Sequence, residues 1–496
     1  MNKVAERAKS LLFEPGETLS QRVVRGGFWV FALRITNRLF HLIRTIVLAR
    51  VLAPSDFGLM GIALLTMSAL QTFTQTGFQA ALIQKKGDIR DYLDTAWTIS
   101  ALRGLVLFAI LFLAAPYIAL FFATPAATPI MRVIGVSMLL NGLANIGVIY
   151  FQKELEFNKQ FIYQLSGTLA DLVVAITAAL LLRNVWALVF GLLARNLVRF
   201  VMSYLIHPYR PRMRLEAGRA KELYGFGRWV LASSVIVFFS TQGDDILVGR
   251  VLSATALGFY QMAYRLSNLP ATEITHVISQ VTFPTYSKLQ TNSETLRTAY
   301  TRVLQLTSLL SFPIAVGIIV VAQDFTLAFL GERWTPMIPA MQVLSIYGLL
   351  RSVGATIGPI LRAIGKPRLD ATMQFIQLCL MTIIIYPLTT SYNILGTSIA
   401  VVVPFLIIIW VGLAVCARNI GATLWDLLSL LGSSLLISAS MMMVLLFLKY
   451  TILNELPSFP RFLTLVTLGL LLYLGLVWLL QRERIAELKQ MVLAVR

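Results

Sequence analysis

Four basic residues sit in one apolar run of this 496-residue chain, FWVFALRITNRLFHLIRTIVL over 28–48. They are Arg34, Arg38, His41 and Arg44. Such a run can cross a bilayer, which takes about 20 apolar residues. An arginine at bilayer depth costs roughly 2.5–3.5 kcal/mol on insertion scales, so three facing lipid would cost on the order of 8–10 kcal/mol. Their side chains need water, a counter-charge or an anionic ligand. Arg34, Arg38 and His41 fall at i, i+4 and i+7, one face of a helix. Asn37 and Arg44 extend the stripe on its flank. Guanidinium groups hold phosphate through charge-assisted, often bidentate hydrogen bonds. The spacing predicts a cationic cavity face suited to a diphosphate. Structural ion pairs are the alternative.

Uncharged polar residues follow the same logic. Ser68, Thr72, Gln75 and Gln79 recur at i, i+4, i+7 and i+11 of the second apolar span. Gln261, Arg265, Asn268, Thr272 and His276 share a face of the eighth, with Glu273 beside them. Amides and hydroxyls of this kind match sugar hydroxyls. In the seventh span Asp244 and Asp245 read as ion-pair partners across a cavity or as carriers of proton or sodium coupling, and Glu273 joins them as a candidate. Asp171, Arg195, Arg199 and Arg351 are further candidates, with a structural role as the preferred reading of each. Cys379 and Cys416 lie inside apolar spans and read as buried thiols without a role. No Cys/His cluster has metal-ligand spacing, so no metal or cofactor is expected.

The elements that must position these residues are transmembrane helices. The chain is 57% hydrophobic and only 13% charged, where soluble domains carry about 25% charged residues. Its mean hydropathy is +0.76. Hydropathy predicts about fourteen spans, near 24–48, 57–82, 95–122, 129–151, 162–182, 185–206, 223–249, 256–285, 301–322, 335–361, 370–388, 393–416, 424–449 and 461–480. The net charge of +19 does not point to nucleic acid, because basic residues pile up in alternate loops. That asymmetry predicts cytoplasmic termini and an even number of spans. No cleavable signal peptide is recognised in the first 22 residues. The short loops leave no room for an extramembrane catalytic domain, so an enzyme is not expected.

Residues 27–63 align on 227–263 without a gap, with ten coincidences of 37. They include Trp29/Trp229, the triplets Arg50-Val51-Leu52 and Arg250-Val251-Leu252, and Gly58/Gly258. Six spans separate the copies, so both run the same way. Parallel repeats of this kind place a substrate between two halves near the midplane. The predicted organisation is an all-α integral membrane protein with two parallel six-helix lobes around a central cavity, plus two C-terminal helices. Its parts are an amphipathic N-terminus (1–22), an N-lobe (23–206), a basic inter-lobe loop (207–222), a C-lobe (223–416), two further spans (417–480) and a basic amphipathic tail (481–496). The loop's main expected role is orientation, with a lipid-headgroup contact as the minor reading. The tail is expected to lie on anionic lipid.

The stretches LARVLAPSDFGLMGIA (48–63), LGFYQMAYRLSNLP (257–270), FPTYSKLQ (283–290) and GKPRL (365–369) resemble Wzx-type oligosaccharide flippases. These are polysaccharide exporters of the multidrug/oligosaccharidyl-lipid/polysaccharide superfamily. The subgroup it most resembles contains colanic-acid and other exopolysaccharide exporters. The resemblance implies alternating access that moves an undecaprenyl-diphosphate-linked repeat unit across the bacterial inner membrane, coupled to an ion gradient. It implies that the first, second, seventh and eighth helices line the cavity. A polysaccharide polymerase and a chain-length regulator are the expected protein partners. An exporter of drugs or organic cations from the same superfamily is the alternative, though it should have an acidic first lobe.

Overall fold

Backbone polar groups inside hydrocarbon must be paired within the protein, and a helix pairs them within its own segment. The computed structural model describes residues 19–75, 78–85, 87–268 and 282–480, and among these every regular element is helical. The terminal segments 1–18 and 481–496, Thr272, Glu273 and His276 lie outside the described residues.

The long helices run α1 (Leu19–Val51), α2 (Pro54–Phe73), α3 (Arg90–Phe121), α4 (Ala127–Leu143), α5 (Phe157–Leu182), α6 (Trp186–Ile206), α7 (Ala217–Val251), α8 (Ala254–Ser267), α9 (Ser293–Phe325), α10 (Ile338–Ala363), α11 (Pro367–Asn419), α12 (Leu424–Thr451) and α13 (Ser458–Leu480). Among the described residues, nine helical segments are long and apolar enough to cross a membrane. The number is ten if α4 and the turn Ile146–Lys153, bent by 73°, count as one span.

Two predicted spans differ in form. The helix expected over 57–82 stops at Phe73, and a separate short helix covers Phe78–Gln84. Thr74 leaves helical geometry at φ -119° and ψ 13°, which ends the helix there. The Thr74 hydroxyl returns to the Leu70 carbonyl at 2.7 Å, and Arg103 of α3 donates to the Gln71 carbonyl at 2.7 Å. The stripe Thr72, Gln75, Gln79 is therefore not one continuous helix face. The 53-residue α11, in contrast, contains two helical arms. Tyr392 and Asn393 leave helical geometry, with Asn393 at φ 53°. Asparagine is one of the few residues that visit this left-handed region readily. A Cβ on Gly396 would lie 1.8 Å from the Leu388 carbonyl oxygen, so only glycine fits where the arms meet. Each arm has about 25 residues, enough for a crossing.

The chain divides into two compact units at Gly258/Phe259. That boundary places α7 with the first unit, whereas the sequence repeat groups it with the second half. In the first unit α5 packs along α6, α3 along α4, α1 on α5, and α7 on α2. Small residues let these backbones approach, as is usual in membranes. A Cβ on Gly104 would sit 2.7 Å from the Met138 carbonyl oxygen, and one on Gly142 would sit 2.6 Å from that of Ser100.

The connection from α6 to α7 is pinned to α3. Asp94 accepts from the Tyr209 hydroxyl and, at 2.9 Å, from the Arg212 backbone N–H. The Thr98 hydroxyl accepts the Arg214 N–H at 3.0 Å, and Thr95 accepts that of Glu216 at 3.3 Å. Burial and the Asp94 bond push the Tyr209 hydroxyl pKa up.

In the second unit α9 packs against α12 and α13 through Val316, Val320, Ile437, Met441, Leu465 and Tyr473. A buried charge cluster closes one end of that contact. The fully buried Asp324 of α9 meets Lys449 Nζ of α12 at 2.8 Å and Arg461 Nε of α13. Lys449 also donates to the Val320 carbonyl at 2.9 Å. Cys416 is buried, but Cys379 is exposed on the first arm of α11, which corrects the expectation that both are covered.

Candidate functional site

The basic stripe of α1 splits between two directions. At 3.6 residues per turn, residues three apart lie about 60° from each other around the axis. That offset separates Asn37 and Arg44 from Arg34, Arg38 and His41. Asn37 and Arg44 turn towards α5, where the Asn37 side-chain oxygen accepts the Thr168 hydroxyl at 2.9 Å. Arg44 Nε donates to Asp171 Oδ1 at 3.0 Å, with both side chains largely buried. Arg44 therefore already has a carboxylate partner, and it is neither Asp244 nor Asp245. Arg34 and His41 are half-buried, and Arg38 is exposed.

Asp171 is seated by a glycine. A Cβ on Gly191 of α6 would lie 2.5 Å from Asp171 Oδ1. On the same pair of helices the Arg199 side chain lies across Gly167, whose Cβ would stand 2.7 Å from Arg199 Cγ. Arg195 and Arg199 both act electrostatically on Asp171. One carboxylate thus serves three guanidinium groups. The Nε atoms of Arg195 and Arg199 have no hydrogen-bond partner within the protein. Guanidinium groups from α1 and α6 converge on this one carboxylate. Arg195 and Arg199 are among the further candidates of the sequence, where a structural role is preferred. Their i, i+4 spacing within an apolar helix was the available signal.

The polar groups of α2 lie nearby in the chain order but are presented differently from expectation. Thr72 is half-buried in the last turn of α2. Gln75 lies beyond the helix end, exposed, and its Oε1 accepts the Ser234 hydroxyl of α7 at 3.0 Å. Gln79 falls in the separate segment Phe78–Gln84. Arg103, which the sequence reading missed, braces the end of α2 through the Gln71 carbonyl and, at 3.0 Å, the Thr74 hydroxyl. On α7, Asp244 is buried and Asp245 half-buried.

In the second unit Gln261 is half-buried, Arg265 exposed and Asn268 buried. Asn268 returns its amide to the Tyr264 carbonyl at 3.1 Å. The opposite side of α8 is fixed to α10 by Ser267, whose hydroxyl donates to the Met341 carbonyl at 2.7 Å. Among the described residues no three His, Cys, Asp or Glu side chains are grouped to hold a metal ion.

Residues 47–339 match the family described as "Polysaccharide biosynthesis protein". The chain belongs to this family. The Wzx-type resemblance read from the sequence stands at that level. The lipopolysaccharide biosynthesis protein WzxC of Escherichia coli is 28% identical over 360 residues, 72% of this chain and 73% of that protein. The teichuronic acid biosynthesis protein TuaB of Bacillus subtilis is 23% identical over 351 residues, 70% of this chain and 73% of that protein. Among solved structures, the lipid II flippase MurJ in an inward closed conformation superposes with a TM-score of 0.73 at 15% identity, covering 92% of this chain and 99% of that one. An inward-facing multidrug MATE transporter gives 0.60 at 15% identity, covering 78% and 94%. The fold resembles that of both.

Proposed function

We propose that the protein is a flippase that carries a lipid-linked oligosaccharide, a repeat unit on undecaprenyl diphosphate, across the bacterial inner membrane by alternating access. The observation that carries this reading is the cationic α1 face of Arg34, Arg38 and His41, beside which Arg44, Arg195 and Arg199 share the Asp171 carboxylate. Guanidinium groups hold a diphosphate through charge-assisted, often bidentate hydrogen bonds. Thr72, Gln75, Gln79, Gln261, Arg265, Asn268 and Thr272 would meet the glycan, while Asn37 is engaged by Thr168. The names of the relatives, which concern lipopolysaccharide and teichuronic acid biosynthesis, support a glycan substrate.

The mechanism follows from differential affinity. A ligand drives a change of state only if it binds one state better. The diphosphate would favour the state in which the α1 guanidiniums face the cytoplasm, and an ion gradient would return the empty carrier. Asp244, Asp245 and Glu273 are the proposed coupling groups. The reading includes fourteen spans in two lobes with cytoplasmic termini, supported by the two arms of α11 and by the alternate basic loops. Partnership with a polymerase and a chain-length regulator belongs to the same proposal.

The test is Arg38→Ala in a strain that depends on this protein for polymer export. Export should be lost while the protein still reaches the membrane. Normal export would remove the diphosphate assignment. The MATE-like fold favours export of organic cations as a second reading. The engagement of Asp171 by Arg44 speaks against it. Sensitisation of a deletion strain to cationic dyes, with polymer intact, would support it.

A further inference from the structure

We propose that the strap 207–216 is a docking surface for anionic phospholipid headgroups, at the cytoplasmic leaflet in the orientation read from the basic loops. The strap has a fixed path. Tyr209, Arg212, Arg214 and Glu216 are tied to Asp94, Thr98 and Thr95 in the first turns of α3. These bonds hold the backbone and leave specific side chains outside. Met213 is 81% exposed and Leu215 62%. Arg210, Arg212 and Arg214 are exposed among them.

The strap's position on α3 identifies what covers it. Thr98, Leu102 and Leu105 share one helix face at i, i+4 and i+7. Leu102 and Leu105 are exposed, and the same face continues to Leu113. An exposed apolar row on a membrane-spanning helix faces acyl chains. The strap therefore lies on the lipid side of α3, about one turn before the apolar row begins. At that level Met213 and Leu215 can enter the edge of the hydrocarbon while the arginine heads stay among headgroups, the division seen for amphipathic interfacial segments.

The charges select the headgroup. Asp94 is occupied beneath the strap by the Tyr209 hydroxyl and the Arg212 amide. Arg214 Nε stands 3.1 Å from Glu216. Arg210 folds back on the His207 and Tyr209 carbonyls at 2.8 and 3.0 Å. Arg212 is the main outward cation, with Arg214 second. Because the strap leads directly into α7, lipid bound there would hold the start of that helix.

The experiment uses the full-length protein carrying Met213→Trp in nanodiscs of mixed phosphatidylcholine and phosphatidylglycerol. In one preparation the phosphatidylglycerol chains are brominated, in the other the phosphatidylcholine chains. Fluorescence quenching is read as the difference from the parent protein. Quenching per mole should be severalfold greater for phosphatidylglycerol. Each arginine near an anionic surface should account for up to about fivefold. The double variant Arg212→Gln/Arg214→Gln should bring the two lipids close to parity, and Arg212→Lys should keep the preference. Equal quenching by both lipids in the Met213→Trp protein overturns the proposal, as does quenching by neither. A preference that survives the double substitution also overturns it. If the double variant does not fold, molar salt on the Met213→Trp protein decides: a preference that persists there overturns the proposal.

Discussion

Gly58 and Gly258, equivalent positions in the internal repeat, lie against each other's helix. A Cβ on Gly58 would stand 1.6 Å from the Ala254 carbonyl oxygen, and one on Gly258 would stand 2.1 Å from that of Pro54. The contact is reciprocal, as a two-fold relation between repeats requires. The N-terminal ends of α2 and α8 cross there with backbone on backbone. Gly58→Ala or Gly258→Ala must move main chain, which costs about 1–3 kcal/mol in a packed site. Both should lower the thermal unfolding midpoint and reduce export. Gly27→Ala, whose Cβ would meet nothing within 4 Å, should leave the midpoint nearly unchanged. Two alanine variants with wild-type midpoints would show that the helices separate freely at this point.

Arg44 and Asp171 make a second prediction. Removing one member of a buried pair leaves an uncompensated charge, at a cost of about 3–5 kcal/mol. Arg44→Ala should therefore lower stability strongly, and Asp171→Ala should do so more, since it leaves Arg44, Arg195 and Arg199 without their carboxylate. Arg44→Ala/Asp171→Ala should be more stable than the sum of the single losses. Unfolding midpoints of the four proteins, as a double-mutant cycle, measure the coupling. Additive losses would remove the ion pair as an energetic unit.

The all-helical, membrane-spanning character could be read from the residues, because hydropathy reports on what lipid demands. The tight turn at Tyr392–Asn393 was legible as a boundary between spans, although the helices abut without a loop. The end of α2 was not, because a stripe of four polar residues at helical spacing continues through it. Periodicity identifies a face only while the helix lasts. The stripe on α1 was legible as cationic, but its division was not. Only the position of α5 decides that Asn37 and Arg44 meet Thr168 and Asp171. Asp324 and Lys449 went unnoticed because each stands alone near the end of an apolar span and pairs across more than a hundred residues.

That missed cluster yields its own prediction. Asp324 joins α9 to α12 and α13 through Lys449 and Arg461, all three largely or fully buried. Asp324→Asn should leave two cations facing each other in an apolar setting and lower the unfolding midpoint by several degrees. Asp324→Asn/Lys449→Met should recover part of the loss, because replacing buried ions with apolar groups of similar volume is often neutral or stabilising. A double variant no better than the single one would show that Lys449 does not depend on Asp324 for its place.

The strap should respond to mild acid through His207. Its Nδ1 accepts the Tyr209 backbone N–H at 3.2 Å, and its ring stacks on Tyr150 at 5.6 Å. An accepting Nδ1 must be unprotonated. Burial pushes the His207 pKa below its ordinary value of 6.5, and Lys159 and Arg210 push the same way against Glu156. For a depressed folded-state pKa the stabilisation is present above the unfolded value and is lost as pH falls through the folded one. The strap contact should hold at neutral pH and weaken as pH falls below the ordinary histidine value of 6.5. Hydrogen exchange of residues 209–216 at matched intrinsic rates should rise between pH 7.5 and pH 5. In His207→Asn, which can offer the same acceptor without titrating, the rise should disappear. Equal pH sensitivity in the two proteins would assign the effect to another group.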